Sequence, residues 1–307
     1  MNWREEIEAA AIRITPYVRR TPVMRASTLG FDDPTQFKFE QMQHTGSFKA
    51  RGAFSTLTSV DVPESGVVAA SGGNHGAAVG FAAHRLGYPA RIFVPEMAGP
   101  SKIALIKSTG ADLTVVAGEY ANALEAARKY EKDTGAMQVH AYDAELTVAG
   151  QGTLMREWEE QGLDADTVLI AVGGGGLIAG ALAWLGQRRK VVAVEPELAP
   201  SLNRALAASR PVDVEVSGVA ANALGAKRIG QICFDLATEC KVQSITVSED
   251  EITRAQRTLW QEFRQLVEPG GATALAGLLS GTYRPEPGEK VAVLVCGANL
   301  SPDPFAS

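Results

Sequence analysis

The sequence predicts an α/β protein of two lobes, each a mostly parallel sheet flanked by helices. Three observations predict it. Strand-type apolar runs alternate with helix-type segments along most of the chain. Glycine-bearing turns follow several of these runs directly, and ligands of parallel α/β sheets sit at such strand ends. Strand–helix units of similar size also recur between about residues 66 and 143, as a smaller body set into a larger sheet would require. The division predicted is a large domain of residues 1–62 and 144–307 and a small one of 63–143.

The elements follow in order. Residues 4–14 have amphipathic helical spacing, ending near Pro16. FKFE at 37–40 is a short strand, and SFKARGAFSTLT at 47–58 reads as a helix. GVVAAS is a strand, and NHGAAVGFAAHRLG is a small-residue helix closed by Gly87. ARIFVP, the helix at 101–109, DLTVVA, the helix at 119–133 and MQVHAY continue the alternation. VAGQGTLMREWEEQ begins another helix. Then come the strand TVLIAV, four glycines, the helix LIAGALAWL and the strand KVVAVEP. KVAVLVCG is the last strand.

Composition narrows the function. The chain has 307 residues, 46% hydrophobic and 21% charged, so it is neither disordered nor coiled coil. Its 29 basic and 35 acidic residues leave a net charge of −6 without a basic run, which argues against nucleic acid. Cys233, Cys240 and Cys296 form no disulfide framework or zinc spacing, and the four histidines are scattered. The N-terminus lacks a secretory apolar core, so a cytoplasmic protein is expected. Thr167 to Gln187 carries no charge and is long enough to cross a bilayer, but its four glycines would break such a helix.

Chemistry concentrates in four glycine-bearing segments. In HTGSFKARGAF (44–54), Lys49 is flanked by Phe48 and small residues. Desolvation there would lower its pKa and free the amine for base or nucleophilic work; the alternative is a solvated helix lysine. ASGGNHGAA (70–78) opens a helix after a strand, with Ser71, Asn74 and His75 as donors beside free backbone N–H groups. A carboxylate fits there, as does a plain helix cap. AVGGGGLIAG (171–180) suits a phosphate. Gly174, Gly176 and Ala179 also satisfy the dinucleotide pattern, with Glu195 ending the next strand, so an NAD-dependent oxidoreductase is a rival. VLVCGANL (293–300) places Cys296 and Asn299 just past a buried-type strand, and VEPGGATALAG adds Glu268 before a helix start.

Taken together and in order, HTGSFKARGA, SGGNHG, AGQGT, GGGGLIAG, EP and CGAN resemble the motifs of fold type II pyridoxal 5′-phosphate (PLP) enzymes, the tryptophan synthase beta-like fold. The chain is most similar to the serine/threonine dehydratase and serine racemase group, over roughly residues 5–300. Cysteine and threonine synthases share the fold but usually carry Asp where Ala50 stands.

The resemblance implies that Lys49 is the Schiff-base lysine of PLP and Phe48 packs beside the ring. Gly173, Gly174, Gly175 and Gly176 would cradle the phosphate. Asn74 would bond the 3′-oxygen, while Ser71, Asn74 and His75 would hold the substrate carboxylate. Cys296 stands where many relatives have Ser, facing the pyridine nitrogen, and Glu268 would lie near that end of the ring. The implied activity is an ammonia-lyase: the freed Lys49 takes the Cα proton, the β-hydroxyl leaves, and L-threonine or L-serine becomes 2-oxobutanoate or pyruvate with ammonia. A homodimer or homotetramer is expected, without membrane or nucleic-acid partners. So is freedom from a C-terminal sensing domain, since the sequence stops shortly after CGAN.

Two positions depart from relatives. Eukaryotic-type serine racemases place a second serine where Gly72 stands, so racemisation should be weak or absent. Relatives that bind a divalent cation use positions matching Glu195, Ala199 and Ser201. Ser201 replaces an Asp there, which weakens any metal site. The alternatives are a 3-hydroxyaspartate dehydratase or serine racemase on the same scaffold, the NAD enzyme, and a non-catalytic amino-acid-binding protein. A β-carboxylate substrate would want an extra cation near the site, which the sequence alone does not place.

Overall fold

The structure, a computed structural model, describes all residues except Thr28, Asp32, Asp303 and 305–307. The chain opens with α1 (Trp3–Ile14), which buries Ile7, Ala10, Ala11 and Ile14 along one face. β1 (Val23–Ala26) and β2 (Thr35–Phe39) form an antiparallel pair, and α2 (Lys49–Leu57) follows. Next come β3 (Val67–Ala70), α3 (Asn74–Leu86), β4 (Ala90–Pro95), α4 (Pro100–Ser108), β5 (Asp112–Val116), α5 (Tyr120–Thr134) and β6 (Met137–Gln138). The chain continues with α6 (Glu145–Glu160), β7 (Thr167–Ala171), α7 (Gly176–Leu185), β8 (Lys190–Pro196), α8 (Ser201–Ala208) and the short α9 (Ala221–Leu224). It closes with α10 (Gln231–Glu239), β9 (Gln243–Val247), α11 (Glu249–Phe263), α12 (Pro269–Leu279) and β10 (Val291–Val295).

Two sheets result. The larger has six strands in the order β1-β2-β10-β7-β8-β9, parallel except for the β1–β2 edge. The smaller has four parallel strands, β5-β4-β3-β6. Parallel strands covered on both faces need apolar residues throughout, and every residue of β7 and β10 is buried. This explains the uncharged run from Thr167 to Gln187. It is a central strand, a turn and the almost wholly buried α7, and no helix of the described residues is long and apolar enough to cross a membrane.

Helix ends follow local chemistry. Gly87 and Gly135 end α3 and α5 in the left-handed region, Pro100 opens α4, and Ser248 and Glu251 make a capping box on α11. The sequence reading missed β1 and β9, which are edge strands of the large sheet. It also made MQVHAY a strand, where only Met137 and Gln138 pair and the chain then leaves the sheet.

α2 sits between the two sheets. Ala50, Ala53, Phe54 and Leu57 join a core with Ala77, Ala78 and Ile92 on the small-sheet side. On its other side α2 nearly touches α6: a Cβ on Gly150 would stand 2.7 Å from the Arg51 carbonyl and 2.5 Å from the Ser55 Cβ.

Candidate active site

The carboxyl ends of β2, β3, β7 and β10 converge, and each contributes a loop. After β2 the chain turns through Thr45 (φ 58) and Gly46 (φ 73) to Ser47, which bridges Gly297 beyond β10. The Phe48 N–H donates to the Cys296 carbonyl at 3.2 Å. Lys49, on the first turn of α2, is thus fixed to the end of the large sheet. Its Nζ donates to the Ala141 carbonyl at 2.7 Å and lies 5.1 Å from the centre of the Phe48 ring. It enters no ion pair among the described residues. Burial pushes its pKa down to about 8, opposed by the nearby Cys296.

The four glycines after β7 form a tight turn. Gly175 has φ +95, and a Cβ on it would meet the Cys233 sulfur at 2.5 Å. Side chains on Gly174 or Gly176 would strike Tyr142, and one on Gly173 would strike the Leu224 backbone. The Gly173 carbonyl accepts from the Ser201 hydroxyl and the Gly174 carbonyl from the Gly230 N–H. The first N–H groups of α7 have no partner within that helix, and such groups after a glycine turn are donors suited to an anion. Burial also raises the Cys233 thiol well above its usual range, so it stays neutral behind the turn.

After β3, Ser71, Asn74 and His75 stand at the entry to α3. The Gly73 N–H donates to the Ser71 Oγ at 3.2 Å. The buried His75 is pushed down to about 3 by burial and the Lys49 charge. Its Nε2 therefore carries the proton donated to the Val139 carbonyl at 2.9 Å, which removes that donor from ligand binding. Asn74 is held at both ends: its Nδ2 donates to Glu268 Oε1 at 2.6 Å, and its Oδ1 accepts from Asn299 Nδ2 at 2.8 Å. Asn299 also donates to the Thr45 carbonyl at 2.7 Å. The second Nδ2 proton of Asn74 is left for a ligand.

Glu268 is pushed up to about 7 by burial, opposed by Asn74 and the charge on Lys102. It is Asn74's direct partner. Cys296 is buried, its thiol 3.5 Å from the Gly270 carbonyl, and burial and the Glu268 charge push it up to about 12.

The remaining candidates lie elsewhere. Glu195 is buried beneath α8, where Oε1 accepts from the Leu202 N–H at 2.7 Å and Oε2 from the Asn203 N–H at 2.8 Å. Ser201 and Ser244 hydroxyls complete its partners, and burial pushes it up to about 7. Glu195 therefore caps a helix, and Ser201 ties that helix to the glycine turn. Ala199 is buried, its carbonyl accepting the Ser201 N–H. Four groups that sequence reasoning did not assign also surround the site: Tyr142, Asn299, Ser47 and Lys102. Only Asn299 carried a signal, its place just past a buried strand.

One side of α2 is held by a buried charge cluster. Arg51 bonds Glu40 at 2.6 Å and Glu157 at 2.9 Å, and Lys38 bonds Glu157 at 2.5 Å. Burial opposes the charge on Arg51, but the two carboxylates outweigh it and hold the guanidinium above its ordinary range.

These residues fit PLP. The glycine turn packs too tightly for any side chain and offers backbone amides for a phosphate, Lys49 offers a desolvated amine with one carbonyl partner, and the buried Ser47 hydroxyl has no protein partner. Comparison with known proteins agrees: residues 14–297 match the model of the pyridoxal-phosphate dependent enzyme family, and the chain belongs to it. A phenylserine dehydratase from Ralstonia pickettii is 36% identical over 301 residues, spanning 96% of this chain and 92% of that protein. The solved structure of a threonine deaminase from T.th. superposes with a TM-score of 0.90 at 34% identity, over 99% of both chains. Maize serine racemase gives 0.92 at 30% identity, over 97% of this chain and 93% of that one. The fold is the fold type II architecture of these structures. The family assignment replaces the nucleotide reading of the glycine turn, and Glu195 has a capping role that needs no ribose.

Proposed function

We propose that the chain removes water from β-hydroxy α-amino acids, L-threonine and L-serine foremost, to give 2-oxobutanoate or pyruvate and ammonia. The observation that carries this is Lys49, a desolvated amine with a single carbonyl partner at the meeting point of the loops. Bound PLP supplies an electron sink that acidifies the substrate's Cα–H bond. Gly173 to Gly176 would hold its phosphate, Asn74 its 3′-oxygen and Cys296 its ring nitrogen, with Phe48 beside the ring.

Burial brings Lys49 down to about 8, so its ammonium gives up a proton far more readily than a solvated lysine and the amine accepts the Cα proton as general base. The substrate carboxylate meets the Ser71 hydroxyl and the first N–H groups of α3, since the His75 ring is committed to Val139. Cys296 stays a thiol and offers no charge to a protonated ring nitrogen, which favours prompt elimination over a long-lived carbanion. Racemisation is disfavoured at Gly72: a Cβ there would lie 2.5 Å from the Ala98 Cβ, so the position has neither an acid nor room for one.

A second reading, a β-aryl substrate, has one observation behind it. The Ala141 carbonyl that holds Lys49 lies between His140 and Tyr142, whose rings stand 5.2 Å apart at 80°. Such an aromatic pair beside the reactive amine suits an aryl group, and the Ralstonia relative is named for a phenylserine. The same proposal includes domains of 1–62 with 144–307 and of 63–143, supported by the division of strands between two sheets. It also includes a cytoplasmic homo-oligomer, as the family resemblance implies.

The test is the visible spectrum of the purified protein, then keto-acid release from L-threonine, L-serine and phenylserine. A visible band absent from Lys49→Ala, with keto acid formed by the parent alone, supports the proposal and ranks the substrates. A coloured protein that releases no keto acid from any of the three overturns it.

A further inference from the structure

We propose that Lys102 is a substrate-positioning cation, its buried ammonium pairing with the α-carboxylate held at the Ser71–His75 turn. This rests on the amino-acid lyase reading above.

Lys102 is on the first turn of α4, in PSKIALIKS, a segment that reads as an ordinary surface helix. The side chain is only 3% exposed. Its Nζ makes one hydrogen bond, to the Asn222 carbonyl at 3.2 Å, and joins no ion pair among the described residues. Lys38, buried just as deeply, has anionic help from Glu157 at 2.5 Å. A buried ammonium with one carbonyl and two free protons is costly to fold around, unless an anion arrives in the working state.

The position of that ammonium says where the anion sits. A Cβ on Gly73 would stand 3.6 Å from Lys102 Nζ and 3.5 Å from the Asn222 carbonyl. Gly73 is the residue before α3, so the ammonium faces the turn whose Ser71 hydroxyl and helix N–H groups already suit a carboxylate. Two independent features, a helix start and a buried cation from another helix, thus converge on one small space. The charged group acting on Lys102 is Glu268, which Asn74 holds within the same site. Burial holds Lys102 below the ordinary lysine range and Glu268 opposes that shift. Asn222 belongs to α9, which packs against the glycine turn through Leu224, so the ammonium also touches the wall opposite α4.

A carboxylate seated there would have a charge-assisted hydrogen bond, worth about tenfold or more in affinity. The test uses 3-hydroxypropanoate, which has the carboxylate and β-hydroxyl of serine but no amine to react. Its binding to the PLP-loaded protein is measured by calorimetry in the parent and in Lys102→Met, an uncharged substitute of similar length. The expected result is affinity about tenfold or more weaker in Lys102→Met, with PLP content and the visible band retained. The melting temperature without ligand should be unchanged or higher, because a desolvated charge has been removed. A structural latch to Asn222 predicts the reverse: lower melting temperature and unchanged affinity, and that result overturns the proposal. Failure of the parent to bind 3-hydroxypropanoate while it still releases keto acid overturns it too, and leaves the lyase reading intact. Weaker binding in the variant from a parent that releases no keto acid supports the cation site and sinks the lyase reading instead.

Discussion

Two cations on the first turn of α2, Arg51 buried and Lys49 partly so, have opposite settings. Arg51 is enclosed by Glu40 and Glu157, with Lys38 sharing the second carboxylate. Lys49 has one backbone carbonyl and no carboxylate in bonding range. The same helix thus carries a charge whose partners are complete and another whose partner has been withheld. Complete pairing makes a group inert and structural, because both charge states are far from balance. Withheld pairing leaves the amine close to neutrality and reactive. The contrast shows that desolvation alone does not mark a reactive cation; the absence of a carboxylate partner at the meeting point of the loops separates Lys49 from Arg51.

The largest effect expected is on chemistry. Lys49→Ala should lower keto-acid release by about 10³-fold or more, measured by initial rates, while circular dichroism stays unchanged. Equal loss from Arg51→Met with full stability would erase the contrast between the two cations.

Next is stability. Glu157→Gln leaves Lys38 and Arg51 short of charge in a buried place, and breaking such a cluster costs about 3–5 kcal/mol. Denaturant midpoints of the apo-protein should show it. A loss below about 1 kcal/mol would mean the cluster is better solvated than its burial implies.

A third effect separates the cations by pH. The folded pKa of Lys49 is lower than its unfolded value, so its charge destabilises the apo-fold fully below about pH 8. That penalty fades as pH rises toward about 10.4, where both states are neutral. Apo Lys49→Met should therefore melt above the parent near pH 7, with the gap closing toward about pH 10. No such pH dependence is expected from Arg51, whose pKa is raised. A gap that widens with pH would reverse the assignment.

The smallest effect is at Asn299. Asn299→Ala frees one end of Asn74 and removes the bond to Thr45. PLP affinity should fall by roughly tenfold, about the worth of one hydrogen bond, read from the concentration needed to restore the visible band. An unchanged affinity would place Asn74's orientation in the hands of Glu268 alone.

Much of this was legible in the sequence because short-range patterns encode it. Lys49 between Phe48 and Ala50, the four glycines after TVLIAV, and Asn74 at a strand-to-helix turn are local signals, and the structure brings them together. What stayed illegible depends on distant contacts. Lys102 looks like any helix lysine until α9 covers it. Tyr142 lies in MQVHAY, whose alternation suggests a strand that the chain abandons after Gln138. Glu195 ends a strand as a ribose-binding acid would, and only the position of α8 shows that it caps a helix. The sequence also gives no sign that the His75 ring bonds the Val139 carbonyl.

The placement of β10 has a consequence for how the protein is made. β10 is the last strand among the described residues, yet it lies in the interior of the large sheet between β2 and β7. Ser47 and Phe48, just ahead of the reactive lysine, are fastened to Gly297 and Cys296 at its end. On the ribosome, Lys49 therefore emerges about 250 residues before the strand that fixes it, or tens of seconds of synthesis at ordinary rates. The small sheet can pair meanwhile, since its strands are close in sequence. The cofactor pocket cannot close until β10 has been made, so a nascent chain stalled before Val291 should emerge folded in its small sheet but colourless.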